Sequence, residues 1–145
     1  MQLNTLKFQI NDGIARITLS RPDDANAINL TMAQELLQTI ITCDVDSNVR
    51  AVLLDAEGRL FSAGGDLGHF AKAGDTLPAI LKELTATLHA AISHLARMRA
   101  PVIASVQGAA AGAGFSLACA CDLVLAARSA KFTLAYTKAG LVPDG

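Results

Sequence analysis

Two segments of this sequence present backbone rather than side chains to a ligand. The first is Phe61-Ser62-Ala63-Gly64-Gly65-Asp66-Leu67, and the second runs from Gln107-Gly108 through Gly112-Ala113-Gly114-Phe115-Ser116. Each lies where a strand pattern ends and a helix pattern begins. Small residues there leave N–H groups exposed and let a ligand approach the chain closely. Two such turns could each aim one N–H at a single oxygen. An enolate oxyanion held in this way is stabilised by fixed dipoles, each worth about 10²–10³ in rate.

Other chemistry fits the same residues less well. A phosphate loop needs Gly-x-x-x-x-Gly-Lys-Ser/Thr, and no lysine stands near Gly114. A dinucleotide fingerprint needs a third glycine, whereas Gly112-x-Gly114 has Leu117 in that slot. His89 and His94 are five apart on one helix pattern, not the three or four of a zinc pair, so the histidines, His69 included, are expected at the surface or in helix packing. No metal is expected. Ser116 has no histidine base beside it in sequence. Cys119 and Cys121 are expected as buried small hydrophobes on different faces of a short helix. Asp66 is expected to cap the helix after it. Pro143-Asp144-Gly145 is a favoured turn sequence, in which an aspartate commonly bonds its own backbone.

The elements that position these turns follow from periodicity. Leu6–Ile10 and Ile14–Ser20 are β-branched runs separated by Asn11-Asp12-Gly13, a hairpin signal. Thr31 with Gln34 suggests a capping box opening a helix to about Cys43. Ala51–Leu54 is a continuous apolar run, expected as a strand buried on both sides. Leucines at steps of three and four predict a helix from about Leu77 to Met98, with Pro78 in its first turn and Pro101 as a stop. Val102–Val106 and Leu123–Ala126 read as strands, Ala113–Cys121 as a short helix, and Lys131–Leu134 as a further extended piece. The order β-β-α-β-loop-α-β-α-β-β implies a mixed α/β fold with crossover units.

The 145 residues are 52% hydrophobic and 17% charged, enough for one sizeable core. A net charge of −1 gives no basis for a nucleic-acid or anionic-membrane surface. Pro101–Cys121 carries no charge and is long enough to span a bilayer. Its three glycines and leading proline argue instead for strand, glycine turn and helix. Three cysteines without framework spacing, and no secretory signal, make a reducing cytoplasm the expected compartment. The final Leu141-Val142-Pro143-Asp144-Gly145 is a turn opening something further, so residues 1–145 are expected to be one domain truncated at its C-terminal end.

Taken together, these segments resemble the crotonase (enoyl-CoA hydratase/isomerase) family over essentially the whole chain. The resemblance rests on Leu19-Ser20-Arg21-Pro22 with Asn26-Ala27 and Asn29, on Phe61–Leu67, and on Pro101-Val102-Ile103-Ala104 with Val106-Gln107-Gly108. Gly112-Ala113-Gly114, Cys121-Asp122-Leu123 and Lys131-Phe132 through Gly140-Leu141-Val142-Pro143-Asp144 complete it. It implies a crotonase-like spiral of β-β-α units that binds an acyl-CoA thioester, coenzyme A being part of the substrate and no separate cofactor being needed. It also implies a helical C-terminal region, absent here, that assembles homotrimers or hexamers.

Position by position, the resemblance makes the N–H groups of Gly65 and Ala113 the oxyanion donors. It makes Ala25, Ala63, Asp66 and Leu67 the region contacting coenzyme A. The two glutamates with which the family's hydratases activate water are replaced by Ser116 and Tyr136, neither an ordinary base near neutral pH. These two are expected to face the substrate. Asp144 stands where dienoyl-CoA isomerases and the phenylacetate-pathway isomerases of the family carry a catalytic aspartate, and Ala135–Asp144 looks like the latter branch. The implied reaction moves a double bond through an enolate, one carboxylate taking and returning the proton. The alternatives are an enoyl-CoA hydratase and a non-catalytic CoA-binding or interaction protein.

Overall fold

A computed structural model describes residues 2–140, 142 and 143. Strands β1 (Leu6–Asn11) and β2 (Ile14–Leu19) form the expected antiparallel hairpin. Its turn uses positive φ at Asp12 and Gly13, the residue types that tolerate it. Next to β2 lie β3 (Ala51–Ala56), β4 (Val102–Val106) and β6 (Leu123–Ala126), all parallel, in the order β1-β2-β3-β4-β6.

One face of this sheet is covered by helices α1 (Leu30–Val45) and α3 (Leu77–Leu95), which pack on each other. Ile17, Val52, Leu54, Val102 and Ala104 meet Met32, Leu36, Ile40, Leu88 and Leu95 in one continuous core. The other face carries the Lys7–Glu57 and Arg16–Asp55 ion pairs. β3 is therefore not buried on both sides as its apolar run predicts: Val52 and Leu54 are buried, Ala51 and Leu53 only half-buried. Parallel pairing is satisfied with a single helical layer here.

Helix α1 is capped two residues earlier than predicted. Asn29, in extended backbone, accepts a hydrogen bond from the Met32 N–H at 2.9 Å and is the cap, replacing the expected Thr31–Gln34 box. Thr31 is already inside the first turn. Helix α3 begins at Leu77 with Pro78 in its first turn, and ends at Leu95 rather than Met98.

The uncharged Pro101–Cys121 stretch forms β4, a short strand β5 (Ala109–Ala111) and helix α4 (Ala113–Cys119). Among the described residues, no helix is long and apolar enough to cross a membrane. Strand β5, expected as part of a glycine turn, pairs in parallel with β7 (Lys131–Thr133). Three alanines have no strand preference of their own, so partners dictate this element. Cys121 is buried as expected but lies past the end of α4, whereas Cys119, at the helix end, is exposed, against the expectation that it is buried. All four residues of β6 are exposed at the sheet's edge.

Candidate active site

Between the main sheet and the β5–β7 pair, the chain after β3 passes through Ser62–Asp66, with a bend at Gly64. On one side it forms a ladder with Ala25–Ile28: Ala63 N–H donates to Ala25 O at 3.0 Å, Ile28 N–H to Gly64 O at 2.7 Å, and Asp66 N–H to Ile28 O at 3.1 Å. On the other side, Ala111 N–H donates to Ser62 O at 2.9 Å, and Ser62 bridges Ala110. This parallel bridge to Ile28 uses the carbonyl of Gly64 and the amide of Asp66. The Gly65 amide, lying between them, faces the opposite way. Among the described residues it donates to no protein group.

The Ala113 amide arrives by a different route. Gly112, with φ 51° and ψ −125°, caps α4, and its own N–H is taken by Thr133 O at 2.9 Å. Its carbonyl accepts from Phe115 and Ser116. Ala113, first residue of the helix, is one of the donors that a helix N-terminus leaves over, and among the described residues it too has no protein acceptor. The two turns touch: a Cβ on Gly64 would lie 2.7 Å from Ala111 O and 3.4 Å from Ala113 N. Gly64 sits at φ +93°, so both its conformation and the closeness of β5 require glycine.

Gly65 and Ala113 both line one cavity of about 240 Å³. Ala63, Leu67 and Tyr136 line it as well, so five of the anticipated residues share one wall system. Ser116 stands behind Tyr136, their hydroxyl oxygens 3.1 Å apart. Ala25 and Asp66 do not line the cavity. Ala25, in left-handed backbone at φ 54°, offers its carbonyl to Ala63. Asp66 caps the short helix α2 (Leu67–Phe70) by accepting from the His69 N–H at 2.9 Å, and takes two 3.1 Å hydrogen bonds from the Arg21 guanidinium. Burial pushes its carboxyl up, but those hydrogen bonds outweigh burial and hold it below the ordinary aspartate value. Asp144 lies outside the described residues.

The loop holding Gly65 is fixed by polar side chains, two of them, Asn26 and Ser62, fully buried and a third, Gln107, half-buried. Asn26 accepts from the Arg21 N–H at 2.8 Å and donates to Glu57 O and Leu60 O at 2.8 and 3.0 Å. Ser62 Oγ donates to Asn26 O at 2.8 Å and accepts from the Gly64 N–H at 3.2 Å. Gln107 reaches from the end of β4 to the carbonyls of Ala56, Gly58 and Leu60. These bonds lock the turn before any ligand arrives, which is what a fixed-dipole site needs.

The wall facing the two amides was not anticipated. Helix α3 supplies Leu81, Leu84, Thr85, Leu88, His89 and Ile92. Leu67 and Phe70 line the same cavity, and the α3 stripe, legible as a helical repeat, is turned partly toward the core and partly toward it. His89, expected only at the surface or in helix packing, is exposed yet lies on the cavity wall. A polar pair at positions 85 and 89, one turn apart beside a leucine stripe, is the signal that would have found it. Among the described residues, no three His, Cys, Asp or Glu side chains gather as a metal site.

Comparison with known proteins agrees with this fold. Residues 9–145 match the family model described as enoyl-CoA hydratase/isomerase. A Rhodobacter capsulatus protein named "Probable enoyl-CoA hydratase" is 43% identical over 99% of this chain and 54% of its own length. The 1,2-epoxyphenylacetyl-CoA isomerase of Escherichia coli is 38% identical over 93% of this chain and 52% of its own. A crystal structure of an enoyl-CoA hydratase from Mycobacterium avium subsp. paratuberculosis superposes with a TM-score of 0.89 at 32% identity, covering 99% of this chain and 55% of that one. This chain thus spans about half the length of the relatives it matches, and the crotonase-like fold implied by its motifs is the fold it has. With its motifs, its architecture and its relatives in agreement, the chain belongs to the crotonase, or enoyl-CoA hydratase/isomerase, family.

Proposed function

We propose that this chain forms the thioester-binding core of an acyl-CoA isomerase that shifts a double bond through an enolate. One observation carries the reading: Gly65 and Ala113, whose amides have no protein acceptor among the described residues, line a single cavity. A thioester oxygen accepting both would gain charge as the neighbouring carbon loses its proton, and each donor would strengthen as that charge grows. Asp144 is the proposed acid/base. It takes the proton and returns it two carbons along the acyl chain. Val142, two residues earlier in sequence, lines the same cavity, which supports this role. The cavity exceeds the roughly 150 Å³ that suffices for one benzene ring, so a ring-bearing or medium-length acyl group fits the proposal.

Incubation with a 3-enoyl-CoA should raise the absorbance of the conjugated 2-enoyl thioester, and Asp144→Asn should abolish the rise. A flat trace across straight-chain and ring-bearing acyl groups would reject the isomerase.

A second reading, hydration, is favoured by Tyr136, which lines the cavity with its hydroxyl oxygen 3.1 Å from that of Ser116 and could position a water beside the acyl chain. Loss of 2-enoyl absorbance with formation of a 3-hydroxyacyl product would place this reading first.

A further inference from the structure

The edge of the Phe70 ring rests on Gly65: a Cβ built on that glycine would lie 3.1 Å from Phe70 Cε2 and 3.4 Å from Cζ. Gly65 takes part in a parallel bridge with Ile28, and at such a residue the side-chain direction stands out of the plane that holds the N–H. The ring is therefore beside the amide rather than across it. It forms one flank of whatever accepts from that N–H.

This ring has little room to retreat. Phe70 closes α2, and its N–H donates to Asp66 O at 3.0 Å. Asp66 is itself held by the Arg21 guanidinium. The half-buried side chain packs against the core and also lines the cavity with Gly65, Leu84 and Leu88. Ala25 and Asp66, expected on the coenzyme A side, do not line that cavity, so the ring borders the acyl end of a bound thioester. A carbonyl oxygen accepting from the Gly65 N–H sits about 3 Å from it. The first carbons of the acyl group then run alongside the ring, and a branch on them adds volume to a contact pinned from behind.

We propose that Phe70 is a specificity-determining residue that admits acyl groups unbranched at the carbon next to the thioester and excludes those branched there. This assignment rests on the reading of the cavity as an acyl-CoA site, and it narrows the substrate class. Bulk farther along the acyl group meets the α3 wall instead, and Phe70 does not act on it.

The test uses the whole chain and saturated thioesters, so that binding is read without turnover. Hexanoyl-CoA, 2,2-dimethylhexanoyl-CoA and 5,5-dimethylhexanoyl-CoA are titrated by calorimetry into wild type, Phe70→Ala and Phe70→Leu. The 2,2-dimethyl group presents a methyl on both faces, which removes any dependence on stereochemistry. Wild type should bind hexanoyl-CoA about tenfold more tightly than the 2,2-dimethyl thioester, the scale of one overpacked contact. Phe70→Ala should bring that ratio close to one, and Phe70→Leu, which keeps apolar packing on the core, should give an intermediate value. The ratio for the 5,5-dimethyl thioester should stay within about twofold of wild type in both variants, since its bulk lies beyond the ring. Should Phe70→Ala fail to fold, by circular dichroism, the Phe70→Leu ratio decides. Equal affinity for hexanoyl-CoA and the 2,2-dimethyl thioester in wild type, a ratio unchanged in the variants, or equal shifts for both branched thioesters would overturn the role of Phe70 while leaving the acyl-CoA site standing. No binding of any thioester to folded wild type would overturn both.

Discussion

Gly114 lies so close to Ser62 that a methyl group on it would meet the Ser62 Cβ at 2.5 Å and the Ser62 carbonyl oxygen at 2.9 Å. The first turn of α4 is thereby packed directly on the loop that carries Gly65. Contact at this range fixes the two amides relative to each other through backbone, without a long side chain between them. Gly114→Ala should force the two turns apart and destabilise the fold by roughly 1–3 kcal/mol, the usual cost of overpacking. The loss is read from the denaturant midpoint. An unchanged midpoint with unchanged thioester affinity would mean that the turns are not rigidly coupled.

Removing a backbone donor without removing the helix is possible at Ala113. It is the first residue of α4, a position where proline's missing N–H breaks no helix bond and its φ is suitable. Ala113→Pro should cut turnover of an acyl-CoA substrate by about 10²–10³, as loss of one oxyanion donor does. Ala113→Ser, which keeps the N–H, should stay close to wild type. Equal rates in the two variants would remove this amide from the proposed mechanism.

The Asp66–Arg21 contact makes a pH prediction with a definite sign. Burial raises the Asp66 carboxyl, but the hydrogen bonds from the His69 N–H and Arg21 win and leave it below its ordinary value in the folded chain. The unfolded chain therefore takes up this proton first as pH falls. The contribution to stability is complete above the ordinary aspartate range and is lost as pH drops through it toward the folded value. Asp66→Asn should flatten the acid limb of the stability curve below about pH 4. The unfolding midpoint, followed from pH 7 to pH 2, reads this directly. An identical acid limb in both proteins would remove Asp66 from the account.

Thiol chemistry should separate the three cysteines. Burial, with Asp122 and Cys119 nearby, pushes Cys121 up to about 12, and burial together with Asp46 pushes Cys43 up to about 11. Both are buried, while Cys119 is exposed at the end of α4. Because the thiolate is the reacting species, alkylation of the folded chain near pH 8 should label Cys119 alone. Peptide mapping after brief treatment with iodoacetamide reports the result. Rapid labelling of Cys121 would show that the chain after α4 opens readily.

Much of this architecture is legible one residue at a time. Positive φ at Asp12-Gly13, a leucine repeat beginning beside Pro78, and β-branched runs over β1 and β2 are local preferences, so the elements they predict are the ones that form. The two small-residue turns were identifiable because glycine's conformational freedom is itself local. What those turns expose is another matter. The Gly65 amide is left without a protein partner among the described residues because the neighbouring carbonyl and amide are consumed by Ile28, thirty-seven positions earlier, a partner no window around Gly65 contains. Strand β5 exists because Ser62 and β7 pair with it, not because alanine favours extended backbone. His89 joins the cavity through the rotation of α3 about its own axis, which is set by the packing of Leu88 and Leu95 into the core. Sequence alone determined which segments could turn, cap and repeat, since those depend on a few adjacent residues. Only the tertiary structure decided which backbone donors remained unspent and which helix face met them, because hydrogen-bond partners and core contacts come from distant parts of the chain.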